Sequence, residues 1–411
     1  MTLRTVIIGG GQAAISLMSE LRLLAPTRAI TLIGDEPWFP YQRPPLSKGY
    51  LGGELTADRL ALRPAEWFSN EGIETRLGAR VEAIDRKAAR VRLKDGGTLA
   101  YDDLVLCTGA RARPLPEALS CGLKKIYTLR GIADADALRG EMQAGRRVLI
   151  IGGGYIGLEF ASIAVKTGLK VTLVEAANRI LGRVAAAETA DYFRTLHRAK
   201  GVDLREATQV TALSGNPHVK RAHLSDGDML DVDFVVAGIG AVASDDLARD
   251  AGLAIDNGIA VDDRCRSSDE RILAAGDCTS FVRSGTRLRL ESVQNAIEQG
   301  EAVAATLAGS SAGRKFSPWF WSDQYDTKLQ IAGVSQGYDK VVRRPAKREG
   351  AQSIWYLKAD RLIAVDAIND PVSYMTGRRL IDAGVTPTPE EIADPVFALI
   401  KLVPQAASRS S

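Results

Sequence analysis

Two stretches of the chain share one pattern of apolar and glycine positions, TVIIGGGQAA at 5–14 and VLIIGGGYIG at 148–157. Each is an apolar run of strand length that enters closely spaced glycines and then an apolar stretch of helical character, which predicts a strand, a tight turn and a helix. A second strand follows in both cases. AITLIGD ends on Asp35, 24 residues beyond Gly11, and the run LEFASIAVKTGLKVTLVE ends on Glu175, 21 residues beyond Gly154.

A further pair of segments repeats this symmetry. YDDLVLCTGA at 101–110 and VDFVVAGIGA at 232–241 share an acidic start, an apolar strand and a glycine turn. They are predicted to be the last parallel strand of each unit. Turn-bounded segments before them, around Gly96–Gly97 and at 226–236, predict inserted β-hairpins. RILAAGDCTS at 271–280 predicts another strand ending in Gly276 and Asp277, followed by a helix over roughly 291–308. From about residue 317, WFWSDQYDTKLQIAGV and SIWYLKADRLIAVDAIN predict short alternating strands and hairpins.

The predicted fold class is α/β, with two Rossmann-like dinucleotide-binding domains and a small α+β C-terminal domain. The segment at 271–308 lacks a phosphate fingerprint of its own and is expected to return to the first domain. The expected boundaries are 1–112 with 241–316 for the first domain, 113–240 for the second and 317–411 for the third.

The glycine runs also carry chemistry. Gly9, Gly11 and Ala14, and again Gly152, Gly154 and Gly157, fit G-x-G-x-x-G/A, which lets backbone approach a pyrophosphate at a helix N-terminus. Asp35 and Glu175 fall where an acid reaches adenosine ribose hydroxyls. Two fingerprints predict two dinucleotides. A flavin and a nicotinamide on one chain make a redox enzyme, because hydride can pass between their rings.

Composition narrows the partners. The 411 residues are 45% hydrophobic and 25% charged, ordinary for a globular protein of two or three domains, and a net charge of +3 gives no argument for nucleic acid. The longest apolar runs are broken by Glu159 and Lys166 before reaching membrane-spanning length, and no charged leader precedes the first strand. A cytoplasmic enzyme, monomeric or weakly dimeric, is expected. Cys107, Cys121, Cys265 and Cys278 form no local redox pair and are expected as buried small hydrophobes. His197, His218 and His223 have no metal-ligand spacing and are expected at the surface or in packing.

With both fingerprints, the GARARP exit and the AAGDC strand in order, the chain resembles the glutathione-reductase superfamily of flavoproteins. YQRPPLSKGYL at 41–51 and PWFWSDQYDTKLQIAG at 318–333 make it similar to the oxygenase-coupled NADH-dependent ferredoxin reductases. That resemblance implies FAD in the first unit, NADH in the second and a small acidic iron–sulfur ferredoxin as acceptor. It places Ala13 in the FAD pyrophosphate loop, Asp35 at the ribose, Lys48 beside flavin N5, and Val81 and Arg130 at further FAD contacts. It also places Asp277 at the ribityl chain, Val293 at the pyrimidine edge and Trp321 beside the flavin. Gly152, Gly154, Tyr155, Ile156, Gly157, Glu175 and Gly240 fall to NADH, with Glu159 near the nicotinamide. Where the family often has Pro-Asn after the second exit turn, this chain has Ala243-Ser244, which receive no role.

Several of these residues admit plainer readings. Lys48 is either a cation favouring reduced flavin or a solvated lysine, and its place after Pro44-Pro45 predicts a helix start. Glu159 is either a buried acid partnered by Lys48 or an exposed acid complementing a helix dipole. Alternation puts Trp319 and Trp321 on one strand face, where Trp319 is expected to pack in the core. Arg343, Arg344, Lys347 and Arg348 form either a solvated loop or a docking surface for an acidic ferredoxin. A helix starting near Ser292 is expected to favour negative charge at its N-terminal end. The functional expectation is an NADH-dependent ferredoxin reductase feeding a cytochrome P450 or a ring-hydroxylating oxygenase. The alternatives are a rubredoxin reductase and a non-catalytic NADH-sensing flavoprotein of the apoptosis-inducing-factor type.

Overall fold

A computed structural model of the chain describes residues 2–283, 285–310, 316–346 and 348–404. It divides into two compact units, one of Met1–Pro45, Leu55–Arg111 and Ala241–Phe316, the other of Leu46–Glu54, Ala112–Gly240 and Ser317–Ser411.

The first unit is built on a five-stranded parallel sheet in the order Ile272–Ala274, Asp103–Leu106, Arg4–Ile8, Ala29–Ile33, Ile73–Arg76. Its inner strands read as near-continuous apolar runs because both faces are covered, which is why their apolar composition and the glycine turns after them located them. The first strand sits where the strand order reverses, so its C-terminal end is the switch point at which ligands bind in such sheets. Helix Gln12–Leu24 leaves that point and packs on helix Val293–Leu307. The contact is close because Gly300 faces it. A Cβ there would lie 2.5 Å from the Ala13 carbonyl oxygen and 2.9 Å from the Leu17 nitrogen. The predicted strand at 271–280 thus returns to the first sheet, and the hairpin around Gly96–Gly97 is observed between Arg90–Leu93 and Thr98–Ala100.

The second unit repeats the parallel design with Asp203–Arg205, Lys170–Val174, Arg147–Ile151, Phe234–Ala237 and Ile126–Tyr127 side by side. A three-stranded antiparallel insert covers 210–231. The same unit contains an antiparallel sheet ordered Trp319–Gln324, Thr327–Gly333, Arg361–Ile368, Gln352–Lys358, Lys340–Pro345. Helix Pro371–Ala383 packs on this sheet through Gly377, where a Cβ would meet Val365 Cγ2 at 2.6 Å. Buried side chains tie the two sheets of the unit together. Thr189, on helix Ala187–Ala199, hydrogen-bonds Asp366 of the antiparallel sheet. No helix among the described residues is long and apolar enough to cross a membrane.

Candidate dinucleotide and electron-transfer site

Both glycine turns have the form a pyrophosphate requires. Gly9 adopts φ +105°, and a Cβ there would lie 2.2 Å from the Cys107 carbonyl oxygen, so no other residue lets the first strand turn against its neighbour. Gly152 repeats the device with φ +109° and a Cβ position 2.5 Å from the Gly238 oxygen. The N-caps of the two nucleotide helices are Gly11 and Gly154, where no side chain caps the helix and an added Cβ would meet open space. The leading amides of each helix therefore face a cradle fitted to an anion. Ala14 and Gly157 are buried under this turn, and a Cβ on Gly157 would be 2.1 Å from the Gly152 oxygen. Ala13 is buried beside them, 3.3 Å from the Cβ position of Gly276.

Asp35 is exposed at the end of its strand. Its neighbour Glu36, which sequence reasoning passed over, is the fixed acid. Glu36 accepts from Tyr41 Oη at 2.9 Å and from Arg43 at 2.9 Å. Glu175 is held in the second unit by two backbone donors, Gly153 N at 2.7 Å and Ala177 N at 2.8 Å, which fixes its carboxylate against the glycine turn. Arg179 is committed to the Ala185 and Gly182 carbonyls.

The remaining expected flavin residues are distributed over both units. In the first, Val81 begins an antiparallel strand, Asp277 is half-buried after Gly276, and Val293 is the first helical residue after the N-cap Ser292, whose side chain accepts from Asn295 N. In the second, Arg130 N donates to Asp134 Oδ2 at the start of helix Ile132–Arg139. The Trp321 ring centroid lies 5.4 Å from that of Trp319, so alternation does place both on one face, and Trp319 packs against the cluster of Ala332, Ala367 and Tyr374. Among the nicotinamide residues, the Tyr155 ring meets Phe320 at 4.9 Å, Ile156 is exposed, and Gly240, at φ +102°, accepts from Arg113 N.

The most developed polar cluster surrounds Glu159. Glu159 is only 2% exposed, which excludes the reading as a solvated helix acid. Its Oε2 accepts from Lys48 Nζ at 2.6 Å and Ser47 Oγ at 2.6 Å, while Oε1 accepts from Ser322 Oγ at 2.7 Å. The structure therefore joins Lys48 and Glu159, and adds two serines that no sequence pattern singled out. Inward alternation offered the one available signal, since Ser322 and Gln324 occupy the strand face opposite Trp319 and Trp321. Lys48 follows a short 3-10 turn at Pro44–Ser47 and does not start a helix.

Two other expectations are corrected. Cys107, Cys265 and Cys278 are buried and outside any disulfide, and burial pushes Cys107 and Cys278 upward in pKa, away from reactive thiolate. Cys121, by contrast, is exposed. Arg344 is not a solvated cation, since its guanidinium is engaged within the chain. Its guanidinium donates to the carbonyls of Ile392 at 2.8 Å and Phe397 at 2.7 Å, with Asp394 O at 2.5 Å, and so fastens the C-terminal segment. Arg343 and Arg348 are exposed, and Lys347 lies outside the described residues.

With the paired fingerprints and their geometry in place, comparison with known proteins decides the family. The model of the pyridine nucleotide-disulphide oxidoreductases matches residues 3–300, and that of the reductase C-terminal domain matches residues 319–403. The chain belongs to the pyridine nucleotide-disulphide oxidoreductase family. It is 42% identical to rhodocoxin reductase of Rhodococcus erythropolis, over 96% of this chain and 93% of that one. Among solved structures, the covalent putidaredoxin reductase–putidaredoxin complex matches with TM-score 0.94 and 38% identity over 97% of this chain and 98% of the other. The ferredoxin reductase for the CYP199A2 system from Rhodopseudomonas palustris gives TM-score 0.94 and 38% identity over 98% and 100%. Family membership makes this pyridine nucleotide-disulphide oxidoreductase an enzyme that binds FAD and a nicotinamide dinucleotide.

Proposed function

We propose that this oxidoreductase passes electrons from NADH through FAD to a small acidic iron–sulfur ferredoxin that serves a cytochrome P450 or a ring-hydroxylating oxygenase. The observation that carries the proposal is the end-to-end likeness to a reductase solved in covalent complex with putidaredoxin. The thiols agree with it, because none is in a disulfide and burial raises the pKa of Cys107 and Cys278, away from the thiolate that dithiol exchange needs.

Bound FAD supplies the conversion of a two-electron hydride into single electrons. The chain's own groups bind and orient. Gly9, Gly11, Ala13 and Ala14 present helix amides to the FAD pyrophosphate. Asp35, Val81, Arg130, Asp277, Val293 and Trp321 are assigned to the rest of FAD. Gly152, Gly154, Tyr155, Ile156, Gly157 and Gly240 receive NADH, and Glu175 orients its adenosine ribose. Lys48 supplies a cation held by Glu159, whose carboxylate Ser47 and Ser322 hold in turn, so its charge is in place before reduction begins.

The test is steady-state NADH oxidation by the FAD-loaded enzyme against a panel of ferredoxins and rubredoxins. A small acidic ferredoxin is expected to exceed any rubredoxin by at least about tenfold in kcat/KM, a preference of about 1.4 kcal/mol. Preference for a rubredoxin, or slow formation of a persistent reduced complex with no turnover of any carrier, would overturn the assignment.

A further inference from the structure

A line of buried polar side chains continues from Glu159 into the antiparallel sheet and beyond it, all within the second unit. Ser322 Oγ lies 2.7 Å from Glu159 Oε1 and 3.2 Å from Gln324 Nε2. Gln324 Oε1 is 2.8 Å from His197 Nε2, and His197 Nδ1 is 3.2 Å from Tyr325 Oη. Ser322, Gln324 and His197 are each fully buried, and Tyr325 is half-buried at the outer end.

Donor chemistry allows this line one direction. A carboxylate can only accept, so Ser322 must donate to Glu159 and accept from the Gln324 amide nitrogen. That orientation turns the Gln324 oxygen toward His197, which must then carry its proton on Nε2. The bare Nδ1 is left to accept from the Tyr325 hydroxyl. Four successive donors thus point at one carboxylate, an arrangement in which each bond polarises the next. Burial lowers the His197 pKa and raises that of Tyr325, which keeps both links neutral.

We propose that Ser322, Gln324 and His197 are positioning residues for Glu159, forming a one-way donor chain that fixes its carboxylate and, through it, the Lys48 ammonium. The effect on the flavin rests on the reading of Lys48 and Glu159 given above, whereas the direction of the chain does not. Reversing one link requires reversing all of them. The tautomer of His197 therefore reports the orientation of the Glu159 contact from the far end of the line.

The experiment uses FAD-loaded enzyme labelled with 15N-histidine, which carries three histidines. The His197 resonance is assigned by its loss in His197→Gln. A neutral imidazole protonated on Nε2 is expected across pH 6–8, and an Nδ1-protonated or cationic ring would overturn the proposal. In parallel, stopped-flow reduction by NADH is measured for Ser322→Ala, Ser322→Thr and Glu159→Gln at matched flavin content. Ser322→Ala is expected to slow reduction at saturating NADH by at least about fivefold with little change in apparent NADH affinity. Ser322→Thr, which keeps the hydroxyl, should return to within about twofold of the parent. Slowing in Glu159→Gln without slowing in Ser322→Ala would sink the positioning role. Unchanged reduction in Glu159→Gln would remove the catalytic reading of Glu159, and the tautomer result would then decide the chain alone.

Discussion

Thr189 Oγ1 donates a 2.7 Å hydrogen bond to Asp366 Oδ2, joining a helix of the parallel-sheet region to the antiparallel sheet of the same unit. Tyr356 Oη donates to the same oxygen at 2.5 Å. The carboxyl is fully buried, and desolvation outweighs these two donors, pushing its pKa from 3.8 up to about 6. Burying this acid has a cost that depends on pH. The folded state holds a proton that the unfolded chain releases between about pH 4 and pH 6, so the contribution of Asp366 to stability falls as pH rises through that window and stays low above it.

Asp366→Asn removes this titration while leaving other groups, including the oppositely acting buried His197, common to both proteins. The stability of the parent relative to Asp366→Asn should therefore improve by about 2 kcal/mol between pH 7.5 and pH 4.5. Urea unfolding at the two pH values measures the difference. A gap that does not change with pH would show that Asp366 does not titrate in this range.

The sequence made the repeated parts of this protein legible and left the joints obscure, for a physical reason. Strands such as Arg4–Ile8 and Arg147–Ile151 are buried on both faces, so their own composition announces them. The glycine turns announce themselves too, since Gly9 and Gly152 answer to local backbone conformation. Asp366, His197 and Gln324 carry no such local mark. Each is a polar residue made tolerable by partners more than 100 positions away, Thr189 for Asp366 and Gln324 for His197. Arg344 misled for the same reason. It lies in a basic run of solvated appearance, yet its partners are carbonyls about 50 residues downstream.

Glu175 should set the choice of nicotinamide. Its carboxylate is pinned by Gly153 N and Ala177 N, so it cannot swing away from a ribose placed at the glycine turn. A 2′-phosphate there would meet a fixed negative charge, and Arg179 is engaged with the Ala185 and Gly182 carbonyls. NADH should exceed NADPH by at least about tenfold in kcat/KM, equivalent to 1.4 kcal/mol, and Glu175→Gln should narrow that ratio. Equal efficiencies in the parent enzyme would refute the assignment.

Arg343 and Arg344 separate steering from structure within two adjacent positions. Arg343 is exposed on the edge strand Lys340–Pro345, where a cation can raise the encounter rate with an acidic carrier without forming a fixed contact. Its neighbour fills a cage of backbone oxygens around 391–397, and removing it leaves several carbonyls without their charged donor. Arg343→Glu should lower kcat/KM for the ferredoxin and flatten its dependence on ionic strength, while leaving flavin reduction by NADH and thermal stability unchanged. Arg344→Ala should instead cost roughly 2 kcal/mol of stability and change the salt dependence little. The pair is read by combining stopped-flow reduction, ferredoxin turnover at several salt concentrations and thermal unfolding on the same preparations. Equal salt dependence in Arg343→Glu and the parent would rule out steering by this strand, and an Arg344→Ala protein as stable as the parent would rule out the cage as a fastening.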